Sequence, residues 1–195
     1  MSEHALHLIS VYILQIGWIL FGAIFIFRKR WPRDKTRKRD PASVLGILIQ
    51  TSSLFAVWMF ARRSHTLLPL GFWFQLLSTA LVVVIVAVSV WTMWSALRVL
   101  GKQWSLQARV LENHQLIREG PYRFVRHPIY TGILGMIIAG GLAWSHWIGL
   151  VVALMLFGIG TAIRVRSEEK LLREQFGAAF DDYKRSVPAV LPIKL

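Results

Sequence analysis

Residues Gly120–Gly132 read G-P-Y-R-F-V-R-H-P-I-Y-T-G, and the organisation of the chain on both sides of them turns on this stretch. It holds three aromatics (Tyr122, Phe124, Tyr130), three cations or potential cations (Arg123, Arg126, His127) and two prolines, and an uncharged apolar run follows directly. Pro121 and Pro128 fix φ and remove backbone donors, which predicts a stiff, irregular loop up to Pro128. Pro128 also suits the first turn of a following helix. The segment therefore reads as a rigid cationic lead-in to a membrane helix, with Arg126 and His127 at an N-terminus that favours anionic groups. A plain juxtamembrane anchor would account for the Arg and Tyr residues, but not for the paired prolines or the histidine.

Outward from this stretch, the apolar runs predict an all-α, multi-pass membrane protein with about five transmembrane helices. Ile9–Phe27 is an uncharged run of 19 residues, long enough to cross the hydrocarbon core. It ends in Arg28-Lys29-Arg30 rather than a small-residue cleavage site, which argues against a signal peptide. Ala42–Ala61 and Phe72–Leu97 are the second and third spans. Gln50, Thr51, Ser52 and Ser53 sit at mid-depth in the second, the usual place for polar groups that join helices. Ile129–Trp144 and Trp147–Ile163 form a short helical hairpin with small-residue faces at Gly132, Gly135, Ala139, Gly158 and Ala162. Gly158-Ile159-Gly160 lies within an apolar helix with no strand before it, so it is not a dinucleotide-binding turn. Arg164–Ser186 carries Leu172, Phe176, Ala179, Phe180 and Tyr183 at helical spacing, which predicts a cytosolic amphipathic helix with Gly177 as an interruption. Alternation over Ser105–Leu111 permits a short strand. The chain divides into a three-span membrane region, 1–97, and a catalytic region, 98–195.

Apolar residues make up 55% of the 195 positions and charged residues 17%, which is too apolar for a soluble domain of this size. The net charge of +13 lies between apolar runs, so the expected partners are anionic lipid headgroups and not nucleic acid. No cysteine is present, which excludes disulfides, thiolate metal sites and cysteine nucleophiles. No histidine–carboxylate pattern suggests a metal. Of 23 Lys and Arg, 21 fall in segments 28–40, 98–127 and 164–195. With five spans this predicts an external N-terminus and a cytosolic C-terminus, in the inner membrane if the source is bacterial. It also places the R-H-P loop and the later Glu168-Glu169 pair on one side.

Arg126-His127-Pro128-Ile129-Tyr130-Thr131-Gly132, followed by Arg164-Val165-Arg166-Ser167-Glu168-Glu169 and then Phe176-Gly177, Tyr183, Val187-Pro188 and Leu191-Pro192, resembles the isoprenylcysteine carboxyl methyltransferase family and the related phospholipid N-methyltransferases. The resemblance covers roughly Leu100–Pro192. It implies an integral-membrane enzyme that uses S-adenosylmethionine. It also implies a cofactor site made by His114, Tyr122, Arg126, His127, Tyr130, Glu168 and Glu169, with Arg164 and Glu169 as catalytic residues. The acceptor would be a lipophilic small molecule or lipidated group, entering sideways near Trp91 and Trp94.

The residue types suit that chemistry. Methyl transfer from a sulfonium is an in-line displacement, and the protein mainly aligns the reactants and excludes water. A carboxylate acceptor needs no general base, whereas an amine must first be deprotonated. Arg164 can steer a carboxylate through its planar fork, although positive-inside anchoring would equally place it there. Adjacent carboxylates diverge on a helix, so one of Glu168 and Glu169 can face a site while the other pairs with an arginine. His127 and Tyr130, three apart, share a helix face. Two rival classes remain: a sterol-reductase-like enzyme using a reduced nicotinamide dinucleotide, and a non-enzymatic lipid-binding scaffold.

Overall fold

The computed structural model describes residues 2–27, 36–60, 71–106, 108–111 and 115–193. Among the described residues six α-helices follow one another: α1 (Glu3–Phe27), α2 (Ala42–Met59), α3 (Phe72–Leu100), α4 (Pro128–Ala143), α5 (Trp147–Phe176) and α6 (Ala178–Ser186). Four of these, α1, α2, α3 and α5, are long and apolar enough to cross a membrane. The fifth expected span, α4, has 16 residues, about 24 Å at 1.5 Å per residue, short of the ~30 Å hydrocarbon core.

Two helix groups meet on α4. Leu14, Phe21, Val82, Val86, Met93 and Met136 join α1, α3 and α4 in one apolar cluster. Ala56, Val57, Tyr130, Ile137, Ala153 and Phe157 join α2, α4 and α5 in another. The short helix is thus the shared wall, and segments 1–97 and 98–195 interlock through it. Apolar side chains at Ile16, Ile19, Leu48, Phe55, Val84, Val88, Met155 and Ile159 point outward and are exposed, as a lipid-facing surface requires.

The last apolar run and the charged segment after it form one helix, α5, where two were expected. The change at Arg164 from apolar to charged marks a change of solvent; it breaks no backbone hydrogen bonds. Neither Gly nor Pro occurs from Thr161 to Phe176, and the Arg, Glu, Lys and Leu there are good helix formers. The break comes at Gly177, whose φ of +52° is open to glycine and strained for other residues. Only α6, the last part of the expected amphipathic helix, stands alone beyond it.

Thr36–Arg39 (β1) and Arg109–Leu111 (β2) pair as a two-stranded antiparallel ribbon. The chain after Leu100 is thereby tied to the approach to α2. Asp40 N donates to Ala108 O (3.3 Å) and Ala108 N donates to Ser43 Oγ (3.1 Å). Of the small-residue faces, Gly132 lies against Ser89 of α3, whereas Gly158 meets open space.

Candidate active site

The R-H-P loop is held from two sides. A 3-10 turn spans Gly120–Arg123, entered through Gly120 at φ +56°. Pro128 is the first residue of α4, as its missing N–H allows. The chain after α6 crosses the start of α4. Arg126 N donates to Pro188 O (2.8 Å), His127 N to Ala189 O (2.9 Å) and Thr131 Oγ1 to Val190 O (2.6 Å). Tyr183 of α6 donates its hydroxyl to Tyr122 O at 2.6 Å. The aromatic and proline positions of the C-terminal segment therefore serve to fix Tyr122, Arg126 and His127.

Glu168 and Glu169, consecutive on α5, share His127 and otherwise take different partners. Glu168 accepts from the Tyr130 hydroxyl, lies 3.3 Å from His127 Nδ1 and is 3.5 Å from Arg164 Nη2. Glu169 accepts from Arg126 Nε (2.9 Å) and Nη2 (2.7 Å) and from Lys184 Nζ (2.7 Å), and lies 3.4 Å from His127 Nε2. His127 spans both carboxylates, and its ring stacks on Tyr130 with centroids 5.6 Å apart. Both ring nitrogens can donate only in the imidazolium form. Burial opposes that charge, but the hydrogen bonds to Glu168 and Glu169 outweigh it and raise the pKa above the usual 6.5. Burial, reinforced by nearby Glu168, pushes the Tyr122 phenol far up. Burial likewise raises Tyr183 to about 12, so both phenols are neutral at physiological pH.

Arg164 is 7% exposed. Nη1 donates to Gln50 Oε1 (3.0 Å), Nη2 donates to Leu106 O (2.7 Å), and the guanidinium lies 5.0 Å from the Tyr130 ring centroid. Its Nε is one of the few buried polar atoms, among the described residues, without a protein partner.

A cavity of about 180 Å³ opens between these groups, more than ten times the ~10–15 Å³ that one water occupies. Tyr122, Arg126, His127, Tyr130, Arg164, Glu168 and Tyr183 line its polar part, together with Gln103, Ser105 and Gln115. Phe25, Leu100, Leu116, Ile117, Ile129, Ile133, Leu171 and Leu172 are among those lining its apolar part, with Trp104 beside them. Such a mixture suits a ligand with a charged head and a greasy body. Trp91 and Trp94 are not on the wall; the cavity lies further along, at the ends of α1 and α3, because α3 continues to Leu100. Among the described residues no cluster of His, Asp and Glu could hold a metal ion.

The sequence profile of the isoprenylcysteine carboxyl methyltransferase (ICMT) family matches residues 78–174, from α3 through most of α5. This chain belongs to that family. Among similar proteins is the protein-S-isoprenylcysteine O-methyltransferase of Saccharomyces cerevisiae, 29% identical over 118 residues, which is 60% of this chain and 49% of that protein. The nickel-cobalt-cadmium resistance protein NccN of Alcaligenes xylosoxydans xylosoxydans is 32% identical over 101 residues, 51% of this chain and 42% of that protein. Protein YpbQ of Bacillus subtilis is 28% identical over 91 residues, 47% of this chain and 54% of that protein. The chain spans about half the length of these curated relatives.

Of the residues singled out by the ICMT resemblance, Tyr122, Arg126, His127, Tyr130, Arg164 and Glu168 share the cavity wall. Glu169 is connected to them through Arg126 and His127 but is turned to the opposite side, toward Lys184. His114 lies outside the described residues. Two further residues of the site had no site role in the sequence: Tyr183, a member of the amphipathic stripe, and Gln50, one of the mid-depth groups that join helices. Gln50 carried one signal, a primary amide at mid-span at the head of the polar run Gln50-Thr51-Ser52-Ser53.

Proposed function

We propose that this ICMT-family chain is an integral-membrane methyltransferase that moves the methyl group of S-adenosylmethionine onto a carboxylate of a lipophilic acceptor of the isoprenylcysteine type. The observation that supports a carboxylate is the charge arrangement at the cavity. Counting protonated His127, three cationic groups on the wall (Arg126, His127, Arg164) stand with one wall carboxylate, Glu168, while Glu169 behind the wall pairs with Arg126 and Lys184. The surplus positive charge favours an anionic acceptor. An amine acceptor needs a base, and His127 and Glu168, the imidazole and carboxylate on the described wall, are already engaged by partners.

The donor set suits S-adenosylmethionine, which supplies an electrophilic methyl on a sulfonium. Glu168 provides a carboxylate for an ammonium, while Tyr122, Tyr130 and Trp104 provide aromatic surface and Gln103 and Gln115 provide amides. Glu169 acts behind this wall, holding Arg126 and His127. Arg164 meets the acceptor carboxylate, and the apolar side of the cavity takes its hydrocarbon. Exclusion of water by that side favours a transition state in which charge disperses. In this reading the site opens at the cytosolic face and the basic segments rest on anionic headgroups.

Methyl-tritiated S-adenosylmethionine supplied to the purified protein, with S-farnesylcysteine and phosphatidylethanolamine as competing acceptors, tests this. Label should enter S-farnesylcysteine and be released by mild alkali, as a methyl ester is. Alkali-stable label on the amine lipid would assign N-methylation instead. Binding of reduced nicotinamide dinucleotide without S-adenosylhomocysteine binding would favour the reductase class, and binding of neither would favour the scaffold.

A further inference from the structure

We propose that Gln50, on α2 and outside the segment matched by the family profile, is a positioning residue for Arg164. This rests on the reading of Arg164 as the group that meets the acceptor carboxylate. Gln50 is 6% exposed, as is Thr161. Its Nε2 donates to Thr161 Oγ1 at 2.8 Å, which leaves Oε1 facing Arg164 Nη1 at 3.0 Å. The opposite amide orientation would set an N–H donor against a guanidinium, which has only donors. The donor-only guanidinium thus selects the orientation of Gln50, the Thr161 hydroxyl three residues earlier on α5 holds the amide N–H, and Gln50 fixes one arm of the guanidinium.

The backbone is built for this contact. A Cβ on Gly160 would stand 2.9 Å from Gln50 N, and a Cβ on Gly46 would stand 2.9 Å from Gly160 O. Only glycine at both positions lets α2 and α5 come close enough for the short Gln50 side chain to span the gap. The other arm of Arg164 ends on Leu106 O (2.7 Å), in a segment that Ser43, also of α2, holds through Ala108 N. The helix therefore governs two anchors of the same guanidinium. A neutral amide restrains Arg164 without neutralising it, so the positive charge stays available to an anion.

The test uses full-length protein labelled with ¹⁵N-arginine, with Arg164 assigned by loss of its signals in Arg164→Lys. Restrained rotation should give separate Nη signals for Arg164 in the wild type. In Gln50→Leu these should merge, and kcat/KM for S-farnesylcysteine should fall about 10–100-fold while S-adenosylhomocysteine affinity holds within about twofold, as expected for one lost hydrogen bond to a charged group. Gln50→Glu, which keeps an acceptor oxygen, should retain separate signals. Thr161→Val, close in volume, should loosen Arg164 in the same direction if Gln50→Leu does not fold. Separate, wild-type-like Nη signals in every folded variant lacking the contact overturn the proposal. Failure of the wild type to methylate S-farnesylcysteine counts against the carboxylate reading; the Nη spectra decide the role of Gln50 either way.

Discussion

Arg126 grips one oxygen of Glu169 with Nε at 2.9 Å and Nη2 at 2.7 Å, and both side chains are largely buried, 9% and 8% exposed. Its Nη1 donates to Lys184 O (3.1 Å) and to Val187 O. Arg126 therefore joins α5 to the C-terminal segment, and most of its hydrogen-bonding capacity is spent inside the protein. Glu168 sits one position earlier, about 100° around the helix, and faces the cavity. The adjacent carboxylates thus have separable tasks.

Glu168→Gln and Glu169→Gln should accordingly fail in different assays. Glu168→Gln removes the carboxylate proposed to meet the ammonium and should weaken S-adenosylhomocysteine binding by about 3–5 kcal/mol. Glu169→Gln leaves Arg126 and Lys184 without their counter-charge and should lower stability by about 1.5–3 kcal/mol, with a smaller effect on ligand affinity. Calorimetric titration and thermal unfolding in detergent read the two separately. Wild-type affinity in both variants would remove Glu168 from the cofactor site.

His127 gives a pH dependence with a defined sign. Its pKa is raised on folding, against burial, by Glu168 and Glu169. Its contribution to stability is complete below the unfolded value, near 6.5, and is lost as pH rises through the higher folded value. Melting temperature should therefore fall as pH is raised from neutral, and His127→Asn should flatten that slope. A slope of the opposite sign would mean that His127 is neutral in the folded protein.

Gly46→Ala tests the α2–α5 contact without removing a polar side chain. The new methyl would lie 2.5 Å from Arg164 Cγ and 2.9 Å from the Gly160 carbonyl oxygen. The side chain could yield, but the backbone oxygen cannot without separating the helices. A destabilisation of about 1–3 kcal/mol is expected, measured by thermal unfolding, with acceptor turnover falling more than S-adenosylhomocysteine affinity. A neutral substitution would show that the two helices are looser than described.

The sequence discloses the centre of the site and hides its supports for identifiable reasons. Pro128 and the i, i+3 spacing of His127 and Tyr130 are local rules, and the stacked rings follow from them. The pairing of Glu168 with Arg164 is an i, i+4 relationship on one helix, equally local. By contrast, Gln50 meets Arg164 across 114 positions, and a polar residue in a span looks the same whether it joins helices or orients a side chain. The continuity of α5 was hidden because hydropathy reports the solvent, not the hydrogen-bonded backbone. Alternation over Ser105–Leu111 permits a strand, and β2 forms at its end, Arg109–Leu111; its partner β1 lies far away in sequence in a polybasic segment with no such alternation.

The C-terminal strap yields the most direct test of how the loop is held. Pro188, Ala189 and Val190 present their carbonyls to Arg126 N, His127 N and Thr131 Oγ1, and Val187 O accepts from the Arg126 guanidinium. Without them, donors at the start of α4 lose partners, and the buried face beneath Val190 meets solvent. Each neutral hydrogen bond is worth ~0.5–1.5 kcal/mol, so ending the chain after Ser186 should cost the loop about 2–4 kcal/mol. The main helix packing, α2 on α5 and α1 and α3 on α4, loses only Val190 at the edge of the α2–α4–α5 cluster. Helical content by circular dichroism should therefore persist while S-adenosylhomocysteine binding drops by more than tenfold. Proteolysis should then cut at Arg123 or Arg126, which the strap no longer protects. Unchanged affinity and an uncut loop would mean that the 3-10 turn and Tyr183 alone hold the R-H-P segment in place.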